Sequence, residues 1–353
     1  MKEIITEKLR QIHLPETDIN IIEAGLVKSI EIKGKLLTVI LEIREQLKNS
    51  AIGLQAAIEA ALQNLPGIET VRVILTSHRA PVAAAPVKLD IPGIQKIIVV
   101  ASGKGGVGKS TVAVNLALAL SKQNLKVGLL DADIYGPSAP RLLGLKGRPE
   151  IKDKKIIPFT QYGIKAMSMG FLVEEEAPTI WRGPMVMGAI QQLLQDVVWG
   201  ELDILVIDMP PGTGDAQLTI SQRVPVAGAV IVSTPQDIAL IDARKGLKMF
   251  ERVQVPILGI VENMSYFTCP ACDTRHDIFG HGGARDEAKR LNVPFLGGIP
   301  LQIPIRQTSD EGKPIVISNP QSAEAKTFYD VAEKVLENLK TTGRPAPKIA
   351  VQN

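Results

Sequence analysis

Two cysteines, Cys269 and Cys272, are the only ones in the 353-residue chain, and they lie in the segment FTCPACDTRH. Paired thiolates at this C-x2-C spacing bind metals or undergo disulfide exchange. A metal–thiolate site usually has four ligands, so the pair requires others from elsewhere. The flanking residues are polar, which disfavours two inert cysteines inside a core. The sequence therefore predicts a chemically active pair that is incomplete by itself.

Three functional interpretations of this pair stay open on spacing alone. His276 and His281 extend it to C-x2-C-x3-H-x4-H, the ligand types of a zinc site within one chain. A redox-active dithiol is the second, although that chemistry favours a cysteine at a helix N-terminus in a different fold. In the third, a two-fold axis brings together the pairs of two copies, and their four thiolates hold an iron–sulfur cluster.

A glycine-rich segment, GKGGVGKST at residues 103–111, lies between the apolar run KIIVVAS and the helical pattern TVAVNLALAL. A strand, such a loop and a helix in this order form a phosphate-binding P-loop, whose backbone N–H groups surround the phosphates. Lys109 is predicted to reach the β- and γ-phosphates, and the Ser110 hydroxyl to bind Mg²⁺. The residues predicted to contact the nucleotide in this loop are Gly103, Lys104, Gly105, Gly106, Val107, Gly108, Lys109, Ser110 and Thr111.

Three aspartates follow apolar, strand-like runs. Asp131 and Asp133 lie in LLDADIYGPS, and Asp208 ends DILVID. The carboxyl ends of parallel strands border the ligand crevice, so these carboxylates are expected beside the phosphates. Asp208 is predicted to hold Mg²⁺ through water, and Gly212 in the following PPGTGD to sense the γ-phosphate.

The P-loop contains a second lysine, Lys104, and in this it resembles the deviant Walker A motif of the MinD, nitrogenase iron-protein and Mrp ATPases. The resemblance implies a homodimer in which Lys104 crosses the interface and stabilises charge on the partner's nucleotide. It also identifies DADIYGPS as switch I and DMPPGTGD as switch II. Asp133 is then the preferred residue for positioning the attacking water, and Asp131 is the competing choice.

ATP is the predicted nucleotide, because no guanine-specific NKxD motif follows the P-loop. Asn263, at the end of PILGIVEN, resembles the asparagine that recognises adenine in this ATPase group. A loop-capping asparagine is the structural alternative at this position.

The elements that must position these residues alternate along the chain. From Lys96 onward, strand-like runs are separated by helical patterns: KIIVVAS, KVGLLDA, DILVIDM, GAVIVST, PILGIVE and FLGGI. Such alternation is typical of a parallel sheet covered by helices on both faces. The aromatic content of 4%, with 30 Gly and 24 Pro, also favours short elements joined by tight turns. We therefore predict an α/β fold, with a parallel-sheet P-loop NTPase domain over residues 96–340.

Residues 1–76 are predicted to form a separate, small α+β domain. LVKSIEIKG and KLLTVILEIRE are strand-like, a helix is expected over 51–64, and TVRVILT is a further strand. INIIEAGLVKSIEI resembles the opening of the MIP18-type iron–sulfur assembly domain. REQLKNSAIGLQ, before the second helix, lacks that family's cysteine, which favours a docking role. Residues 77–95 are predicted to be an Ala/Pro-rich linker, and residues 341–353 a disordered tail.

Charge and hydropathy argue against two classes of partner. The 40 basic and 37 acidic residues are spread along the chain without basic clusters, so no nucleic-acid partner is predicted. No apolar run approaches the roughly 18 residues of a membrane-spanning helix, and the first residues lack a signal-peptide core. We expect a cytoplasmic protein without a membrane partner.

In combination, GKGGVGKST, DADIYGPS, DMPPGTGD and ENMSYFTCPACDTRHDIFGHGGA resemble the Mrp/ApbC family of iron–sulfur cluster carriers, over about residues 96–339. The resemblance implies a homodimeric ATPase that binds a [4Fe–4S] cluster between its subunits through Cys269 and Cys272. Its partners are then scaffold proteins that load the cluster and apo-proteins that receive it. Two alternatives remain: a MinD-like ATPase switch for spatial organisation, and a zinc-stabilised dimeric regulatory ATPase.

Overall fold

The computed structural model describes residues 2–15, 17–43, 50–63, 65–77, 88–172 and 183–341. The chain divides into two compact units, Met1–Pro86 and Val87–Asn353. This division falls inside the segment 77–95 predicted as a linker, of which residues 78–87 lie outside the described residues. Residues 342–353 of the predicted tail also lie outside them. The domain limits stay predictions.

The N-terminal unit is built around a three-stranded mixed sheet in the order β1-β2-β3. Its elements are α1 (Lys2–Arg10), β1 (Val27–Lys33), β2 (Leu36–Ile43), α2 (Ala51–Leu62) and β3 (Thr70–Ser77). β1 and β2 are antiparallel, whereas β2 and β3 are parallel. Alternate residues of a strand share one face, and Leu37, Val39 and Leu41 of β2 accordingly lie in one core with Ile58 of α2.

The C-terminal unit is centred on an eight-stranded sheet in the order β15-β12-β11-β4-β10-β5-β9-β8. All neighbouring strands are parallel except β8 and β9. These strands are β4 (Ile94–Ala101), β5 (Val127–Asp131), β8 (Phe159–Gln161), β9 (Ile164–Ser168), β10 (Leu202–Asp208), β11 (Val226–Ser233), β12 (Ile257–Asn263) and β15 (Phe295–Ile299). Two small hairpins lie outside the sheet: β6 (Ile151–Lys152) with β7 (Lys155–Ile156), and β13 (Phe267–Thr268) with β14 (Arg275–His276).

Helices cover both faces of this sheet, and the sheet separates two layers of buried apolar residues. They are α3 (Lys109–Ser121), α4 (Ala139–Leu142), α5 (Gly183–Gln195), α6 (Asp215–Arg223), α7 (Asp237–Arg252), α8 (Gly283–Arg290), α9 (Ile303–Asp310), α10 (Ile315–Ser318) and α11 (Ala323–Thr341). α3 is buried from Val112 to Leu120, because the sheet covers one side and α11 the other. A helix that is apolar all round needs such cover. In the described parts of the chain, no helix is long and apolar enough to cross a membrane.

The predicted fold class is confirmed, and each of the six apolar runs from Lys96 onward forms a strand of the parallel sheet. The carboxyl ends of β4, β5, β10 and β12 therefore lie on the same edge of the sheet, as the strand pairing requires. The P-loop follows β4 at this edge, beside Asp208 at the end of β10, and Asp131 ends β5 one strand further along the sheet. The antiparallel extension by β8 and β9 was not predicted.

Candidate functional site

The P-loop connects β4 to α3, and its path depends on glycine. Gly106 and Gly108 both have φ of 80°, in the left-handed region that favours glycine. Gly103 is held by a close approach instead, since a Cβ there would lie 2.1 Å from the carbonyl carbon of Asp242 in α7. The predicted sequence of strand, glycine-rich loop and helix is thus present.

Lys109 begins α3 and is buried beside two carboxylates. Its Nζ donates to Asp208 Oδ1 at 2.6 Å and lies 3.6 Å from Asp133 Oδ2. The Ser110 hydroxyl oxygen is 3.2 Å from the same nitrogen. Burial raises the pKa of Asp208 above its usual range, and the Lys109 ammonium partly opposes that shift. Among the described residues, Asp208 Oδ2 is the one buried side-chain nitrogen or oxygen without a hydrogen-bond partner.

Asp131 and Asp133 differ in what surrounds them, although they are two residues apart. Asp131 is fully buried, and its carboxylate accepts hydrogen bonds from the backbone N–H groups of Asp133 and Ala139 and from the Ser168 hydroxyl. Burial and the neighbouring Asp208 raise the pKa of Asp131 to about 7. Asp133 accepts from the Gly136 N–H, and its other oxygen faces Lys109.

An open cleft of about 630 Å³ lies over the P-loop. Of the predicted nucleotide and catalytic residues, those that line it are Lys104, Gly105, Gly106, Gly108, Lys109, Ser110, Thr111 and Asp133. Asp131 and Asp208 lie beneath this surface, and the cleft wall opposite the loop comes from Arg141, Leu142, Ser309 and Asp310. These four were not predicted, because α4 and α9 are far from the P-loop in sequence and carry no recognisable motif.

Asn263 is the last residue of β12, and its side chain contacts the backbone of the P-loop. Its Nδ2 donates to the backbone carbonyl of Val107 at 2.8 Å, and the side chain is 8% exposed. The residue is not among those that line the cleft. Its predicted contact with adenine stays a prediction, whereas its contact with the phosphate loop is a structural fact.

The two cysteines lie in the turn of the β13–β14 hairpin. The Cys269 N–H donates to the Thr274 carbonyl, and the Asp273 N–H donates to the Cys269 carbonyl, both at 2.9 Å. Asp273 has φ of 56°, which closes the turn. Cys269 is partly exposed and Cys272 is exposed, so both thiols are accessible.

The surroundings of Cys272 favour its thiolate form. Its Sγ donates to the Thr274 hydroxyl oxygen at 3.2 Å. Hydrogen bonding with the Thr274 hydroxyl, with the Thr274 N–H and with Cys269 lowers the pKa of the Cys272 thiol. A thiolate is the form that binds metals.

The two nearby histidines do not complete a site with the cysteines. His281 Nδ1 is 2.6 Å from an Arg275 nitrogen, and the His276 ring packs beside Phe267. Within the described ranges of the chain, no group of three or more His, Cys, Asp or Glu side chains is placed to hold a metal ion. The structure therefore gives no support to a zinc site closed within one chain.

Two residues of the site region were missed by the sequence analysis. Ser168, at the end of β9, bonds to Asp131, and no local pattern marks it. Glu262 is 1% exposed at the end of β12 and accepts hydrogen bonds from Ser265 and Ala284. A glutamate that interrupts an apolar strand-like run is a signal that could have identified it, since a fully buried glutamate is rare unless it is paired.

Comparisons with known proteins agree with this geometry. The family described as NUBPL iron-transfer P-loop NTPase matches residues 93–336, and the family described as iron-sulfur cluster assembly protein matches residues 2–74. The chain is 46% identical over 333 residues to the iron-sulfur cluster carrier protein of Synechocystis sp., which covers 93% of this chain and 94% of the relative. It is 56% identical over 260 residues to the iron-sulfur cluster transfer protein NUBPL of Mus musculus, covering 73% and 82%.

Solved structures show the same fold. A nucleotide-binding protein in complex with ADP from Archaeoglobus fulgidus superposes with a TM-score of 0.57 at 45% identity, covering 63% of this chain and 88% of that one. The cell division ATPase MinD of Pyrococcus furiosus superposes with a TM-score of 0.52 at 25% identity, covering 69% and 99%. Both the motif resemblance and the N-terminal resemblance are confirmed. The chain belongs to the iron–sulfur cluster carrier family of P-loop NTPases, with an N-terminal domain of the iron–sulfur cluster assembly type.

Proposed function

We propose that the protein is an ATP-hydrolysing homodimer that binds a [4Fe–4S] cluster between its subunits and transfers it to apo-proteins. One observation carries this proposal: the β13–β14 hairpin presents the chain's only two cysteines, and no further metal ligand gathers around them in the described residues. A cluster held by cysteines alone requires four thiolates. A second copy related by a two-fold axis supplies the other pair.

Nucleotide binding is assigned to the cleft over the P-loop. Its volume of about 630 Å³ lies in the range of small-molecule sites, and Lys109 stands at its base. The Archaeoglobus fulgidus structure, titled as a complex with ADP, supports a nucleotide as the ligand. We assign ATP as the substrate.

The acidic residues fit a Mg²⁺ ion beside the phosphates. Asp208 has a buried oxygen without a partner, and the Ser110 hydroxyl lies close to the same lysine. Ser110 and Asp208 would hold the ion, the latter through water. When bound, Mg²⁺ neutralises charge that develops on the transferred phosphoryl group.

Different roles are proposed for the charged residues around the cleft. Asp133 lines the cleft and orients the attacking water. Asp131 is buried beneath the cleft, both of its carboxylate oxygens accept backbone hydrogen bonds, and it holds switch I in place. Lys104 is half-buried on the cleft wall and reaches the partner's nucleotide in the dimer. Scaffold proteins that load the cluster and apo-proteins that receive it are the proposed partners, in agreement with relatives named as cluster carrier and cluster transfer proteins.

Anaerobic reconstitution with iron and sulfide tests the proposal. We expect a brown protein with about four irons and four sulfides per dimer, together with ATP hydrolysis that requires Mg²⁺. A matched variant with Cys269→Ser and Cys272→Ser should bind nucleotide normally and hold no iron. About one zinc per chain, or iron retained by the double variant, would contradict the assignment of the cysteines.

A further inference from the structure

The last two residues of β12 connect the phosphate loop to the cysteine hairpin. Glu262 and Asn263 are adjacent, both are buried, and the hairpin segment begins directly after them. Successive residues of a strand point to opposite faces of the sheet. One side chain therefore contacts the P-loop, while the other contacts the helix that follows the hairpin.

The contact with the P-loop is tight. Asn263 Nδ2 donates to the Val107 carbonyl at 2.8 Å, between the two left-handed glycines of the loop. At Gly108, a Cβ would lie only 2.2 Å from the same nitrogen. A rearrangement of residues 106–108 around a bound phosphate therefore displaces Asn263 or breaks this hydrogen bond.

Glu262 contacts both ends of the segment that contains the cysteine hairpin. One oxygen of Glu262 accepts from the Ser265 hydroxyl at 2.5 Å, and the other accepts from the Ala284 N–H at 2.7 Å. Ala284 lies in the first turn of α8, whose N-cap residue Gly282 has no side chain to cap it. A carboxylate is the favoured partner for such free N–H groups. The segment 265–284, which contains both cysteines, is thus hydrogen-bonded at its first and last residues to one buried carboxylate.

We propose that Glu262 and Asn263 act as the positioning residues that couple the nucleotide site to the cysteine hairpin. Nucleotide bound by the P-loop shifts the end of β12, and the Glu262 carboxylate passes that shift to Ser265 and Ala284. The accessibility of Cys269 and Cys272 then depends on nucleotide. This inference rests on the proposed function, since it gives the ATPase a means of acting on the cluster ligands.

Thiol labelling of the full-length protein without cluster tests the coupling. The chain has only two cysteines, so the rate of reaction with a maleimide reports on the hairpin alone. We expect saturating Mg²⁺ and a non-hydrolysable ATP analogue to change the wild-type rate by about fivefold or more, the lower end of typical allosteric coupling. Glu262→Ala should bind the analogue yet lose this response, because both hydrogen bonds are removed.

Glu262→Gln is the matched control. Its amide can donate to Ser265 while its oxygen accepts from Ala284, so the nucleotide response should be retained. Ser265→Ala removes a single hydrogen bond and should reduce the response, which provides a second test where Glu262→Ala folds poorly. A wild-type response that persists fully in Glu262→Ala and Ser265→Ala, or a wild-type rate that does not change with bound analogue, would overturn the coupling. Neither result bears on whether the cysteines hold iron, which the reconstitution measures separately.

Discussion

At the residue scale, three aspartates and one lysine share a small buried volume at the base of the cleft. Lys109 lies within 4 Å of Asp208 and Asp133, and Asp131 adjoins Asp208 closely enough for their charges to interact. Burial disfavours every charged carboxylate, and one ammonium compensates for only part of that cost. The pKa of Asp208 is accordingly raised above its usual range, and that of Asp131 is raised to about 7, so the charge of Asp131 changes close to neutral pH.

Asp131 should make the protein less stable as the pH rises from about 4 to about 7. The unfolded chain releases this proton near the ordinary pKa of 3.8, whereas the folded chain keeps it until about pH 7. Between these values the folded state binds more protons, so the free energy of unfolding falls by about 1.4 kcal/mol per pH unit. Above pH 7 the contribution is constant. Asp131→Asn should remove the Asp131 contribution to this slope, while Asp208, whose pKa is also raised, keeps its own.

Urea unfolding at several pH values measures the effect. Tryptophan fluorescence is a suitable signal, because both tryptophans lie in the C-terminal unit. Asp133→Asn is the matched control: it should keep the Asp131 contribution to the slope but lower ATP hydrolysis by about a hundredfold or more, as expected for loss of the water-positioning group proposed here. If Asp131→Asn, with its folding verified, abolished hydrolysis while Asp133→Asn did not, the two roles would be exchanged.

At the element scale, the β13–β14 hairpin lowers the pKa of the Cys272 thiol, which would favour the metal binding proposed for it. Thr274→Val removes the hydroxyl near Cys272 Sγ but keeps the backbone N–H that also lowers its pKa. The pKa of Cys272 should therefore rise, and its alkylation at pH 7 should slow by roughly threefold to tenfold, because only the thiolate reacts. Mass spectrometry of each cysteine across a pH series measures the midpoint.

Thr268→Val provides the control for this change. Thr268 lies in β13 opposite Arg275, and its carbonyl rather than its hydroxyl accepts from Gln302. The same isosteric substitution there should leave the alkylation midpoint of Cys272 unchanged. Equal shifts in both variants would instead indicate a general disturbance of the hairpin.

The sequence predicted the elements whose signals are local. The central strands are continuous apolar runs because both faces of a parallel sheet are buried, and the P-loop is marked by glycines that its backbone needs. β8 and β9 were missed because β8 has three residues, and the turn between the strands uses Tyr162 and Gly163, which form no standard hairpin signal. The different surroundings of Asp131 and Asp133 were equally out of reach, since Asp131 bonds to Ala139, 8 residues away, and to Ser168, 37 residues away.

At the scale of the whole molecule, both cysteines of the chain lie in the β13–β14 hairpin. The N-terminal unit belongs to an iron–sulfur assembly family but contains no cysteine, so it has no thiolate to offer a cluster. A docking role for that unit stays a prediction. Because both cysteines lie in one hairpin, the number of hairpins per cluster distinguishes a cluster shared between two subunits from a cluster held within one chain.

Mixed dimers measure that number. Wild-type subunits are combined with subunits that carry Cys269→Ser and Cys272→Ser, each with a different affinity tag, and the doubly tagged dimers are isolated and reconstituted. A mixed dimer contains two thiolates, half of what a cysteine-held [4Fe–4S] cluster needs, so we expect it to hold almost no iron. A site within one chain would give half of the wild-type iron instead. Wild-type dimers assembled from two differently tagged subunits provide the control, because they pass through the same exchange and purification and should recover about four irons per dimer.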